Sequence, residues 1–176
     1  SGGTTEFVGF ERLSATATVT EVVEEKKRTG VVLDRSPFYA EMGGQVGDTG
    51  TLSIGGKKWT VPGTQKAGDA FLNFIKGDGV PEVGGEVELA VDAARRASIQ
   101  RHHTVTHLFH WALHEVTSPE ASQKGSYVGP DKLTFDFNSP ALTPQQLADI
   151  ERLVNERIVD NAVVSWAEAP YSEVIG

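Results

Sequence analysis

The chain has 176 residues, 39% hydrophobic and 23% charged, and its 16 Lys and Arg against 24 Asp and Glu leave a formal net charge of −8. That length supports one domain or two small ones sharing a core. No segment approaches the roughly 18 uninterrupted apolar residues of a membrane-spanning helix, and the acidic balance excludes the broad basic field of an autonomous nucleic-acid binder. Because there is no cysteine, disulfides and thiolate metal sites within the chain are excluded, and any metal must be held by His, Asp or Glu. The opening SGGTTEF carries neither an initiating Met nor the charged-then-apolar order of a signal peptide, which reads as an excised fragment of a cytoplasmic protein.

In the first ninety residues, the runs ATVTEVV (17–23), GVVLD (30–34), TLSI (51–54), KWTV (58–61), FLNFI (71–75) and EVELAVD (86–92) read as short strands. Gly55-Gly56 signals a two-residue hairpin, because primed turns need the positive φ that glycine adopts without strain. The near-regular spacing suggests a small antiparallel barrel, with a loose meander packed on the rest as the alternative. At Asp92 the hydrophobic period changes from two to 3.6. Asp92 is placed to cap a helix over 93–116 that stops near Ser118-Pro119, with Val105, Leu108, Phe109, Ala112 and Val116 on its core side.

The polar run Gln123-Lys124-Gly125-Ser126 reads as a loop between that helix and a half-buried strand, LTFDF (133–137), whose Leu133, Phe135 and Phe137 alternate with polar residues. Thr143-Pro144-Gln145-Gln146 starts a second helix, with Thr as N-cap, Pro at the first helical position and Gln three residues after the cap. That helix is expected to run to about Asp160 and to bury Leu147, Ile150, Val154 and Ile158. A last short strand is expected within AVVSWAEAPYSEVIG (162–176). The fold class is therefore α+β.

Three groups of residues offer chemistry. All five histidines lie between 102 and 114, and at about 100° per residue His103, His107, His110 and His114 fall in a wedge of roughly 60°, opposite the core stripe. His103 and His107, at i and i+4, let two imidazoles converge on one ion; the alternative is a solvated face that happens to be rich in histidine. His110 and His114 are too far along the helix to complete the same coordination sphere. The loop Tyr39 to Gly50 holds Gly43, Gly44 and Gln45, which suit close backbone approach to a ligand or simply a barrel corner. Arg95, Arg96 and Arg101 cluster just before the histidines as a local phosphate contact or a solvated helix face. An HExxH metalloprotease is excluded, since Thr104 or Val105 stands where that motif has its Glu.

Four blocks, SPFYAEMGGQVGDTG (36–50), RHHTVTHLFHWAL (101–113), QKGSYVGPDKLTFDF (123–137) and LTPQQLADIERLVNERI (142–158), together resemble, in order and spacing, the editing region of alanyl-tRNA synthetase. The resemblance implies a β-barrel subdomain at 1–91 followed, at 92–176, by the N-terminal part of an α/β editing domain of the type shared with threonyl-tRNA synthetase. It implies an ATP-binding ligase as the parent enzyme, with an aminoacyl-tRNA deacylase site that removes serine or glycine misattached to the alanine tRNA. His103 and His107 match the first pair of the family's zinc ligands. The second pair, a downstream CxxxH, has no counterpart here, so the expectation is a truncated half-site with little tightly bound zinc.

By the same resemblance Gln123 and Thr106 are candidate catalytic residues, although Thr106 can equally back-bond to its helix. Gly43, Gly44, Gln45, Arg95 and Arg96 are candidate substrate contacts. The implied partners are the acceptor end of the alanine tRNA and the remaining domains of the synthetase, in the cytoplasm. A free-standing editing protein and a noncatalytic tRNA-binding module remain the alternatives. Truncation is also expected to leave an exposed strand edge or apolar face.

Overall fold

A computed structural model of the chain describes residues 3–25 and 27–163. Its elements are β1 (Glu6–Phe7), β2 (Ser14–Glu25), β3 (Arg28–Leu33), β4 (Arg35–Ser36), β5 (Gly50–Ile54), β6 (Lys57–Ala67), β7 (Ala70–Lys76), β8 (Glu86–Val91), α1 (Ala93–Val116), β9 (Gln123–Val128), β10 (Leu133–Phe137) and α2 (Pro144–Asp160). Six strands close a barrel in the order β2-β3-β7-β6-β5-β8, with every neighbouring pair antiparallel.

The alternation of β8 shows why the barrel closes. Val87, Leu89 and Val91 are buried while Glu86, Glu88 and Ala90 are exposed, so one face fills the interior with Val19, Leu33, Leu52, Trp59 and Val61 from the other strands. The Trp59 indole N–H is satisfied by the carbonyl of Gly79 at 2.9 Å. Gly55 and Gly56, at φ 53° and 88°, form the turn between β5 and β6, as the hairpin signal required. Each expected run falls on a strand of the barrel, except that Asp34 and Asp92, the last residues of two runs, lie just beyond the ends of β3 and β8.

The change of period at Asp92 is a change of architecture. The barrel strands end at Val91, and the Asp92 side chain accepts from the backbone N–H of Arg95 to start α1 at Ala93. A second core joins α1 to α2 and the β9–β10 hairpin through Ala112, Leu113, Ala121, Ile150 and Val154, with Val105, Leu108, Phe109, Phe135 and Phe137 partly buried against it.

Three expectations need correction. Residues 123–126 are not a loop but the first part of β9, which pairs antiparallel with β10. The segment is polar because none of its side chains is buried, and backbone pairing rather than burial makes it a strand. In α2 only Ile150 and Val154 are buried, whereas Leu147 and Ile158 are 52% and 49% exposed; among the described residues the helix packs on α1, too small a surface to cover every apolar side chain of α2. The histidine stripe is not wholly a solvent face, since its second half packs under β10 and the segment before β9. The α2 start does follow expectation, with the Thr143 and Gln146 capping box and Pro144 at its head. The strand expected at the C-terminal end lies, from residue 164 on, outside the described residues. Among the described residues, no helix is long and apolar enough to cross a membrane.

Candidate functional site

The site forms where three elements converge on the middle of α1. The first is the helix itself, whose 3.6-residue period stacks His103 under His107. Their Nε2 atoms lie 3.1 Å apart, with ring centroids 5.0 Å apart. The second is the glycine loop. Gly43 and Gly44 take φ of 59° and 82°, so the loop reverses with Met42 and Gln45 bonded to each other through their backbones. That reversal buries Gln45 and sets its Oε1 2.7 Å from His103 Nδ1.

The third element is β9. Val128 donates to the Gly44 carbonyl at 2.8 Å, and Val46 donates to the Val128 carbonyl at 3.0 Å. A Cβ on Gly44 would stand 2.4 Å from the Ser126 carbonyl oxygen, closer than any side chain permits, so this position needs glycine for both its φ and its contact. Gln123 donates from Nε2 to Ser126 Oγ at 2.9 Å. A continuous chain of contacts therefore runs Gln123, Ser126, Gly44, Gln45, His103, His107.

The protonation pattern follows from these partners. His103 donates Nδ1–H to the Gln45 amide oxygen, which leaves its Nε2 as a bare acceptor, and His107 donates Nε2–H to it. Partial burial, and then the neighbouring His107, push the His103 pKa below its ordinary 6.5, so the ring is neutral at pH 7.

A zinc ion is what the resemblance implies here, and the donor set can be tested against it. Two imidazole nitrogens on one tetrahedral zinc stand roughly 3.3 Å apart, given Zn–N bonds of about 2.0–2.1 Å. The observed 3.1 Å fits, as does the outer hydrogen bond to Gln45, the usual device for orienting a metal-ligating histidine. Among the described residues no third His, Cys, Asp or Glu joins the pair.

The other expected site residues separate. Gln123 lies beside the loop, through Ser126. Thr106 is buried and donates its hydroxyl to the His102 carbonyl at 2.8 Å, the helix back-bond that was its alternative role. Arg96 is not on a solvated face. It is buried in an ion pair with Asp48, with Nε also 2.9 Å from Asp48 Oδ2, Nη1 donating to Gly9 at 2.8 Å and Nη2 to Pro37 at 2.9 Å. It is a bolt between helix and barrel, with all three of its nitrogens engaged. Arg95, one position earlier, donates to the Gly47 carbonyl at 2.8 Å and stays partly exposed.

His110 and His114 stand apart from the pair. His114 donates to the Ala121 carbonyl at 2.6 Å, and the His110 ring packs 5.3 Å from Phe135 with a buried Nε2 that has no partner among the described residues. Ser126, Asp48 and His102, whose Nδ1–H donates to the Gly129 carbonyl at 2.6 Å, were not singled out by sequence reasoning. Only Asp48 had a signal, as a carboxylate within the glycine loop.

Residues 3–95 match the family model for class II (A) tRNA synthetases, and the chain belongs to that family. It is 45% identical over 174 residues to an alanine–tRNA ligase of Akkermansia muciniphila, covering 98% of this chain and 18% of that protein. It is 47% identical over 173 residues to the alanine–tRNA ligase of Methylacidiphilum infernorum (97% and 18%) and 40% identical over 171 residues to that of Pseudoalteromonas translucida (92% and 20%). The chain thus spans about a fifth of the length of these relatives.

Proposed function

We propose that the histidine pair and the loop gripping it are part of a hydrolytic editing site, one that removes serine or glycine wrongly esterified to the alanine tRNA. The observation that carries this is the Gln45–His103–His107 relay: 2.7 Å from amide to ring and 3.1 Å from ring to ring, with one imidazole held neutral. On this reading residues 1–91 are the barrel subdomain and 92 onward the start of the editing domain.

His103 and His107 would hold zinc through Nε2, His107 shifting its ring proton to Nδ1 on binding, with further ligands from a CxxxH segment of the parent. Zinc so held would supply Lewis-acid activation of a water or an anchor for the substrate's amino group. The chain's own residues do the rest. Gln45 keeps the His103 lone pair aimed outward. Gln123 and Ser126 present an amide and a hydroxyl that can hydrogen-bond the hydroxyl of a misattached serine. A pocket built to hydrogen-bond such a group rejects an analogue without it far better than an apolar pocket rejects added bulk, which separates serine from alanine; glycine, with no hydroxyl either, is separated from alanine by size alone. Thr106 stays a helix residue in this scheme, and Gly43 and Gly44 allow the ester close to the backbone.

The test is hydrolysis of seryl-tRNA charged on the alanine tRNA, by this chain and by a version extended through the CxxxH segment, with and without zinc. Zinc-dependent hydrolysis in the extended protein, abolished by His103→Ala, is expected. Equal hydrolysis in both would show the downstream pair to be dispensable, and none in either would favour a noncatalytic tRNA-binding module.

A further inference from the structure

The loop that grips His103 has a second side, and its chemistry is different. There it borders a groove of about 440 Å³, with Arg28 at the start of β3, Lys76 at the end of β7, Arg95 in the first turn of α1 and Glu41 and Gly47 of the loop along its walls. Three cations face one carboxylate, in a chain whose acidic residues outnumber its basic ones 24 to 16.

These cations are held for use rather than neutralised. The Arg28 guanidinium lies 3.8 Å above the Phe74 ring, which fixes its plane while leaving its edge donors outward. Its ion pair with Glu25 spans 3.8 Å between half-exposed side chains, a contact of little energy. Arg95 spends one nitrogen on the Gly47 carbonyl. Lys76 makes no ion pair among the described residues. A net positive groove of three cations and one carboxylate, two of the cations planar forks suited to phosphate oxygens, matches a polymer carrying one negative charge per unit.

We propose that this groove binds the phosphodiester backbone of the RNA whose 3′ end reaches the histidine pair; the assignment of that end rests on the editing reading above. The loop is anchored to both walls of the groove, by Glu41 N–H on the Thr64 carbonyl at 2.9 Å and by Arg95 on Gly47. Gln45 lies between those anchors and turns its side chain the other way, to His103. A strand seated on Arg28, Lys76 and Arg95 therefore reaches the pair by crossing a single loop, and the acidic remainder of the surface discourages other routes.

The test is filter binding of an uncharged RNA hairpin, an acceptor stem with a single-stranded 3′ end, to this chain across a salt series. Each phosphate contact contributes about 0.7–0.9 to the slope of log affinity against log salt, so the double variant Arg28→Gln with Lys76→Gln is expected to flatten the slope by about 1.4–1.8. At low salt it should bind at least about tenfold more weakly. The control, Lys57→Gln with Lys58→Gln at the β5–β6 turn, should keep the original slope, and thermal melting checks that both variants fold.

An unchanged slope in the groove variant, an equal loss in the control, or no salt-dependent binding by the unaltered chain would each overturn the proposal. So would displacement of the RNA by polyglutamate at equal charge concentration, which would mark a generic polyanion face. The RNA carries no amino acid, so binding is read independently of hydrolysis. Groove-dependent binding combined with no deacylation by the extended protein would sink the editing reading and leave an RNA-binding groove.

Discussion

At Gln45 one amide sets the tautomer of a histidine 58 positions away in the chain. If that bond orients a metal ligand, Gln45→Leu should weaken zinc binding by about 10–100-fold, read by competition with a chromogenic chelator, while His103→Ala should remove the binding altogether. His110 offers a test of a different kind. Burial first and then His114 lower its pKa below 6.5, against a weaker raising effect from the Ala121 backbone, with His107 adding the smallest lowering. A histidine whose folded pKa lies below its unfolded value binds fewer protons folded than unfolded in that window. Its contribution is therefore intact above about pH 6.5 and is lost as the pH falls toward the lower folded value. Urea unfolding midpoints should drop between pH 7.5 and pH 5, and the drop should shrink in His110→Phe, which leaves no ring nitrogen to protonate.

Among the elements, α1 was the most legible from sequence and β9 the least, for physical reasons. The Asp92 cap, the apolar stripe and the stop near Ser118 all agree on one helix, and it runs from Ala93 to Val116. In β9, by contrast, Gly125 interrupts the run and only Val128 is buried, so side-chain pattern carries no strand signal and the pairing with β10 alone decides. The capping box of α2 is local chemistry and was readable; Thr143→Ala should cost about 1 kcal/mol by chemical denaturation. The exposure of Leu147 and Ile158 was not readable, because it depends on which neighbours reach the far turns of the helix. Gly44→Ala is expected to be worse than Gly43→Ala by stability and by metal binding. Both have positive φ, but only at Gly44 does the added methyl meet a backbone oxygen.

Over the whole molecule, the histidines were legible as a pair and the glycine loop as a motif, yet nothing in either period says that residue 45 meets residue 103. That meeting is tertiary, and Arg96 and Asp48 help to secure it. Both are nearly inaccessible, at 5% and 1% exposure, so removing one partner strands a buried charge. Arg96→Ala should destabilise the chain by about 3–5 kcal/mol, measured by urea unfolding, whereas Arg95→Ala, at the partly exposed groove, should change stability far less.

The same bolt has a thermodynamic corollary. The loop can grip His103 only while Asp48 keeps its far end seated on α1, so whatever the pair binds must also favour the seated loop. Occupancy and seating are then two readings of one equilibrium, and linkage makes them reciprocal. A metal at the pair should raise the melting temperature of the chain. A milder lesion at the bolt that leaves the protein folded, such as Arg96→Lys, should lower metal affinity although residue 96 touches neither histidine. The barrel, with no ligand of its own in the pair, thereby sets how tightly the helix can hold one.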